Sequence, residues 1–227
     1  MSKYVLLSHI IRQDTPSYGN RDKVIIRVNS CIRGGETANS SCWVFSNDHI
    51  GTHIDVPRHF SDDGMRTFDY EIGDYVFNHV FLLDLPCKLS HLINQEDIED
   101  KGIPEDVDLL LIRTGMEKYR SVSDEYWDSN PGISPDLPDF LRERYSRLRC
   151  IGFDFISVTA WQHRSEGRLA HKNLLDPSNG LNPIWAIEDM SLVQVSAPLA
   201  QVIVAPLMVE DGNGGAVTVI GKIADYV

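Results

Sequence analysis

Residues 49–59 concentrate the side chains of this sequence that are best suited to chemistry. Three of the chain's eight histidines and one aspartate occupy odd-numbered positions there: His49, His53, Asp55 and His59. In an extended backbone, side chains alternate between two faces, so these four would project to the same side. Imidazole nitrogens and carboxylate oxygens suit zinc, iron or manganese, and a carboxylate has two oxygens with which to bridge two ions. The stretch therefore predicts a metal site on one face of a strand.

The spacing of His49 and His53 also fits one face of a helix, as in the H-E-x-x-H metalloproteases. However, Gly51 and Pro57 are unfavourable in a helix interior. The intervening residues include β-branched side chains that favour a strand: Thr52, Ile54 and Val56. A strand that runs into a turn at Pro57 is the better prediction, and His59 would lie in that turn.

Two other interpretations of residues 49–59 do not involve catalysis. The polar residues would form an ordinary solvated strand face, or a histidine pair would close a structural zinc site. Structural zinc sites favour thiolates and closed tetrahedral ligation. The nearest cysteine, Cys42, has no C-x-x-C partner, which argues against such a site.

The pattern His-x-Gly-Thr-His-x-Asp-x-Pro-x-His resembles the signature of the cyclase-like metal-dependent hydrolases, a family that includes bacterial kynurenine formamidase and isatin hydrolase. Every fixed position of that signature is filled in residues 49–59. The resemblance implies a mixed β-sheet curled into a barrel-like core with a few outer helices, and a homo-oligomer, either a dimer or a tetramer. It extends over most of the chain in shorter pieces: Ser8-His9, Arg113-Thr114-Gly115, Pro131-Gly132, Gly152-Phe153-Asp154 with Ser157, His171 and Glu188.

The resemblance also implies that distant residues complete the site. In the family, a histidine that begins a short helical turn and a glutamate that ends the next apolar run supply ligands, and His171 and Glu188 match those places. His163 is the rival for the histidine role. Asp154, at the end of a strand, has two interpretations: it orients a ligand histidine, or it accepts hydrogen bonds from a loop.

These residues imply a site for two divalent ions, either zinc or manganese. His59, at the end of the signature, is expected to act as the general base, because an unperturbed histidine pKa of about 6.5 suits proton transfer at neutral pH. The alternative is that His59 is a further ligand. The expected ligands are His49, His53 and Asp55 for the first ion, and Asp55, His171 and Glu188 for the second.

The resemblance implies hydrolysis of an amide C–N bond in a small molecule, with an aryl formamide such as N-formylkynurenine as the first candidate substrate. In the family, the loop after the first strand closes over the substrate with an aromatic side chain, and Tyr18 is the matching residue here. The alternative for Tyr18 is an exposed aromatic without function. Residues 176–183 form a connection that looks longer than in kynurenine formamidases. A cyclic amide of the isatin type is the second candidate, and a metal-binding protein without catalysis is the third.

Length and composition favour one domain that spans residues 1–227, because 42% of the residues are hydrophobic and can fill one core. The net charge of -12 repels nucleic acid. Four cysteines without paired spacing indicate a reducing compartment, and we find neither a secretion signal nor a membrane span. The sequence therefore predicts a cytoplasmic protein that binds neither nucleic acid nor membrane.

Many short strand patterns with few helical ones predict an α/β or α+β fold. Strands at residues 4–11 and 23–28 are expected to form a hairpin-like start. Apolar residues at helical spacing from Leu137 to Leu148 predict the clearest helix, with Ser134 as its N-cap. Two closing strands, at residues 201–209 and 216–223, are predicted to be joined by a turn at residues 210–215.

Overall fold

The computed structural model describes residues 3–224, which form thirteen β-strands and four α-helices. The predicted domain bounds, 1–227, include residues 1–2 and 225–227, which lie outside the described residues. The strands are β1 (Tyr4–Leu6), β2 (Val24–Ser30), β3 (Ser40–Phe45), β4 (His53–Asp55), β5 (Val76–Phe77), β6 (Val80–Asp84), β7 (Leu92–Ile93), β8 (Leu109–Arg113), β9 (Gly132–Ile133), β10 (Cys150–Phe153), β11 (Trp185–Glu188), β12 (Leu199–Pro206) and β13 (Gly214–Ile223). The helices are α1 (Gln95–Ile98), α2 (Glu125–Asp128), α3 (Leu137–Arg144) and α4 (Arg164–Leu175).

Nine strands form one mixed sheet in the order β5-β12-β13-β4-β11-β10-β8-β6, with β1 also paired to β13. Strands β6, β8, β10 and β11 run parallel, and the other neighbours pair antiparallel. The two end strands, β5 and β6, are separated in the chain by residues 78 and 79 alone, so the ends of the sheet lie together. The sheet is therefore a nearly closed barrel, and the predicted mixed, barrel-like α/β fold is confirmed.

The parallel strands β8, β10 and β11 are buried on both faces, which explains why they read as continuous apolar runs. Along β8, Leu110 and Ile112 belong to the core between sheet and helices. Leu109 and Leu111 belong to the core on the opposite face. This alternation follows from the two-residue period of a strand, and it gives the domain two apolar cores with the sheet between them. Among the described residues, no helix has both the length and the apolar character needed to cross a membrane.

The predicted hairpin-like start is wrong. β1 pairs with the C-terminal half of β13, and β2 pairs with β3. The loop between the first two strands explains the difference, because Ser17 forms a bridge with Ile50 and carries the chain away from β1. The closing strands β12 and β13 do pair with each other, as the sequence predicts.

Two helix predictions also need correction. The predicted helix after Ser134 exists as α3, but its N-cap is Asp136, and the helix ends at Arg144 rather than near Leu148. The longest helix, α4, has 12 residues and was not predicted, because Gly167 and its charged neighbours obscure the apolar pattern. His171 consequently lies in the second half of a long helix and not at the start of a short turn.

The hairpin of β2 and β3 stands apart from the main sheet. It forms a separate two-stranded sheet, a structure that has marginal stability alone in water. Several of its large apolar side chains are exposed, including Val28 (73%) and Trp43 (69%). The predicted homo-oligomer remains a prediction.

Asp154 serves the loop that follows β8. Its Oδ1 accepts hydrogen bonds from the backbone N–H (2.8 Å) and the hydroxyl (2.6 Å) of Thr114, and its Oδ2 accepts one from the Gly115 N–H at 2.8 Å. Asp154 is 1% exposed and Thr114 is 4% exposed, so the two hydrogen bonds between them are shielded from water. Of the two interpretations of Asp154, the structure favours the one in which its carboxylate accepts hydrogen bonds from a loop.

We expect Asp154→Ala to lower the free energy of unfolding by about 1–3 kcal/mol, because it leaves the buried backbone N–H and hydroxyl of Thr114 without their acceptor. The matched control is Asp106→Ala, which removes an exposed ion pair with His79 and should cost about 0–1 kcal/mol. Urea unfolding of both variants measures the difference. Equal, small effects would contradict the structural role of Asp154.

Candidate metal centre

The signature residues occupy three kinds of backbone, not one continuous strand. Strand β4 contains only His53, Ile54 and Asp55. His49 precedes a left-handed turn at Gly51, where φ is 72°, and His59 ends a short 3-10 helix that begins at Pro57. The prediction of a turn at Pro57 agrees with the structure, whereas the extended strand from His49 does not. The reason is Gly51, which adopts a conformation that other residues rarely adopt.

Strand β4 lies between β11 and β13, and this position brings distant residues to it. Glu188 on β11 pairs with His53 of β4, and Gly214 on β13 pairs with Asp55 of β4. Cross-strand partners point to the same face of a sheet, so the Glu188 carboxylate faces the site. Helix α4 covers this face and supplies His171.

Three histidines surround the carboxylate of Asp55, which is 1% exposed. Its Oδ1 lies 2.7 Å from Nδ1 of His49 and 3.6 Å from Nε2 of His53. Its Oδ2 lies 2.8 Å from Nε2 of His171. Glu188 closes the other side, with Oε2 3.2 Å from Nε2 of His53 and Oε1 3.5 Å from Nε2 of His171. Asp55 is therefore the common contact of the cluster.

The described residues contain two groups of potential metal-binding atoms, and both include Asp55. In each group the candidate ligand atoms lie within 4.8 Å of one another. The grouping of these residues differs from the predicted one, because His59 is grouped with His49, and His53 is grouped with Glu188. The groups are His49, Asp55 and His59, and His53, Asp55 and Glu188.

Asn213 holds two of the histidine rings in position. Its side-chain N–H donates to Oδ2 of Asp48 at 2.7 Å, which directs its carbonyl oxygen toward the site. A carbonyl oxygen only accepts, so Nε2–H of His49 (2.7 Å) and Nδ1–H of His59 (2.9 Å) both donate to it. This leaves Nδ1 of His49 directed at Asp55, and it leaves the lone pair of Nε2 on a neutral His59.

His53 is held in the same manner by the backbone. Its Nδ1–H donates to the carbonyl of Gly51 at 2.8 Å, so Nε2 is the atom that faces the cluster. That Nε2 is buried and lacks a hydrogen bond of acceptable geometry, although Glu188 Oε2 is near. A buried nitrogen without a partner, among carboxylates and imidazoles, fits a divalent transition metal ion.

The charges of the cluster shift several pKa values. Burial lowers the pKa of His49, but the Asp55 carboxylate outweighs this effect and raises the pKa to about 10. Burial lowers the pKa of His59 to about 4; the Asp55 carboxylate opposes this effect, and Coulombic repulsion from the neighbouring imidazoles adds to it. Burial alone would raise the pKa of Asp55, but the neighbouring histidines hold it well below its usual value. At neutral pH, His59 is therefore uncharged beside a charged carboxylate.

His171 and the remaining candidate residues lie outside both donor groups. His163 precedes α4 and belongs to neither group of the described residues. His9 lies 3.7 Å from Glu117 through Nε2 and Oε1, in another part of the fold. Tyr18 is half-buried and packs edge-on against Trp161, with ring centres 5.0 Å apart. Tyr18 is therefore partly buried, and its predicted role beside the substrate stays a prediction.

Sequence reasoning missed Asn213 and Gly214. Both belong to what was predicted as a simple turn between the closing strands. A side chain at Gly214 would place its Cβ 2.5 Å from the carbonyl oxygen of Ile54 and 2.8 Å from the ring of His49, so only glycine fits there. The run of glycines around Asn213 was a signal of close backbone approach, but it did not indicate which residues approach.

Comparisons with known proteins agree with this fold. The family model described as "Putative cyclase" matches residues 5–160. The chain therefore belongs to this family. A kynurenine formamidase from Bacillus anthracis is 31% identical over 176 residues, which cover 76% of this chain and 75% of the relative. His171 and Glu188 lie beyond the residues that the family model matches.

Solved structures show the same architecture. Isatin hydrolase A from Labrenzia aggregata, bound to benzyl benzoate, aligns with a TM-score of 0.79 at 22% identity and covers 98% of this chain and 94% of its own. A predicted metal-dependent hydrolase from Bacillus stearothermophilus aligns with a TM-score of 0.73 at 22% identity, covering 96% and 97%. At these identities, the likeness establishes the fold.

We expect Asn213→Ala to lower the pKa of both His49 and His59 in the metal-free protein, from about 10 and about 4 respectively. The reason is that the Asn213 oxygen stabilises an imidazolium more than a neutral ring. NMR titration of the histidine ring protons measures both values. Asn182→Ala, at an exposed position, is the control. Unchanged pKa values in Asn213→Ala would contradict the assigned hydrogen bonds.

Proposed function

We propose that the chain is a metal-dependent hydrolase of the C–N bond of a small-molecule amide, and that its substrate is an aryl formamide such as N-formylkynurenine. The observation that carries this proposal is the buried Asp55 carboxylate, which contacts three histidines and belongs to both donor groups. The similarity to kynurenine formamidase supports the amide as substrate class. A cyclic amide is the second candidate, supported by the structural similarity to isatin hydrolase.

We infer that the donor set would hold two divalent ions, zinc or manganese. We assign His49, His53, Asp55, His171 and Glu188 as the residues that would hold them. A divalent ion at such a site acts as a Lewis acid, which lowers the pKa of water and polarises a carbonyl oxygen. The protein's own contribution is to fix the ligand atoms. The Gly51 carbonyl and the Asn213 amide do this for His53 and His49.

We assign His59 as the general base. Its pKa of about 4 leaves it neutral at pH 7, and its Nδ1–H donates to Asn213, so Nε2 carries the lone pair. That nitrogen can take a proton from water and return it to the leaving nitrogen of the amide. Because His59 also belongs to one donor group, the alternative role as a ligand needs a direct test.

The proposed function predicts that the purified, metal-loaded protein hydrolyses aryl formamides or cyclic amides, and that a chelator abolishes the activity. His53→Ala should lose both metal and activity and keep its fold, because the buried contacts of β4 come from Ile54. His79→Ala, at a half-exposed position outside the cluster, is the control. Elemental analysis, circular dichroism and an amide panel measure these outcomes. Full metal content without hydrolysis of any amide would favour a non-catalytic metal-binding protein.

We expect His59→Ala to keep its metal and to lower kcat by about 100- to 10,000-fold, which is the usual share of general acid–base catalysis. Metal content and kcat are measured on the same preparation. Loss of metal in proportion to activity would make His59 a ligand instead of the base.

A further inference from the structure

Two aromatic side chains lie beside the metal-binding residues and are tied to them from two directions. Ser17 bridges to Ile50, which places Tyr18 next to the signature. On the other side, the backbone N–H of Val158 donates to Oε1 of Glu188 at 2.7 Å, three residues before Trp161. The Tyr18 and Trp161 rings meet edge-on at 5.0 Å. This pair therefore lies at the edge of the proposed catalytic site.

The position of Trp161 is well defined by its surroundings. Its backbone N–H donates to Oδ1 of Asn130 at 3.2 Å, and Asn130 is fully buried. A Cβ at Gly19 would lie 2.3 Å from the Trp161 ring, so the absence of a side chain at residue 19 is what admits the indole. The close fit indicates a built arrangement of the two loops and not a chance surface contact.

Two arginines stand over these rings. Cζ of Arg164 lies 3.6 Å from the ring centre of Trp161. Cζ of Arg21 lies 5.9 Å from the same ring and 6.0 Å from the ring of Tyr18. Both arginines are exposed, and neither has a carboxylate within ion-pair distance in residues 3–224. Arg168, one helical turn after Arg164, adds a third exposed positive charge.

The Tyr18 hydroxyl is buried, its oxygen lies close to the Arg164 guanidinium, and its hydrogen has no acceptor among the described residues. Burial raises the pKa of Tyr18, the charges of Arg164 and Arg168 oppose that rise, and the charge of Glu188 adds to it. The hydroxyl therefore lies within electrostatic reach of both the arginines and the metal-binding residues. A buried hydroxyl without an acceptor is an unmet donor that a ligand can satisfy.

We propose that Arg21, Arg164 and the Tyr18 hydroxyl form a recognition site for a carboxylate carried by the amide substrate. This inference rests on the proposed function and names the substrate class more closely, as an anionic aryl amide. Guanidinium groups bind carboxylates through paired, charge-assisted hydrogen bonds. In a chain with a net charge of -12, these arginines also provide a local positive potential that attracts an anionic substrate.

The test compares wild type, Arg164→Gln and Arg21→Gln on N-formylkynurenine, on its carboxamide analogue and on formanilide, all with metal-loaded protein. Each substitution should raise KM for the carboxylate substrate by about tenfold or more, with kcat nearly unchanged, because a charge-assisted hydrogen bond is lost. Activity on the carboxamide and on formanilide should stay within about twofold of wild type. Arg33→Gln, at an exposed arginine in the turn of the β2–β3 hairpin, is the matched control.

The outcomes separate the two proposals. If wild type hydrolyses none of these amides and no cyclic amide, the proposed function fails, and the inference fails with it. If amides are hydrolysed but the carboxylate and carboxamide substrates have equal kcat/KM, or both arginine variants behave like Arg33→Gln, the carboxylate site is wrong while the hydrolase stands. Retained far-UV circular dichroism in each variant shows that a change in KM does not come from unfolding.

Discussion

The burial of one carboxylate is the constraint on which the rest of this site depends. An ionised carboxylate in an apolar interior is costly unless charged or hydrogen-bonding partners surround it. Asp55 is 1% exposed, and histidines from three separate segments direct nitrogens at its two oxygens. These histidines come from the loop before β4, from β4 itself and from α4, so the same contacts that stabilise Asp55 gather the donor atoms.

The topology meets this requirement with a strand of only three residues. β4 lies between β11 and β13. Glu188 of β11 is therefore its neighbour on one side, and Gly214 of β13 is its neighbour on the other. Ile54, the middle residue, points into the opposite core and is completely buried. Because β4 is so short, the chain can turn at both of its ends, and these turns bring His49 and His59 back over the same face of the sheet. Their ring centres are 4.1 Å apart.

Much of the fold and of the donor set was accessible from the sequence, for a physical reason in each case. The buried parallel strands β8 and β10 read as apolar runs, and the signature carries the imidazole and carboxylate side chains of β4 and its two flanking turns. Asn213 was not accessible, because its partners His49 and His59 lie about 160 residues away and no periodicity records such a contact. The pairing of β1 with β13 was missed for the same reason, since it joins the two ends of the chain.

The charge pattern explains why the site joins residues with opposite protonation behaviour. Asp55 raises the pKa of His49 to about 10, whereas burial and Coulombic repulsion from the neighbouring imidazoles lower that of His59 to about 4. In the metal-free protein, two histidines with rings in contact thus differ in charge at neutral pH.

The most direct test of this account is anomalous X-ray scattering from crystals of the protein loaded with zinc or with manganese, recorded on both sides of the metal's absorption edge. The account predicts two anomalous peaks about 3.5–4 Å apart, a separation typical of two-metal hydrolases, with Asp55 between them. His171 and Glu188 should lie at the peak that is farther from His49. A metal peak away from Asp55, or full occupancy at a site that does not include it, would contradict the account.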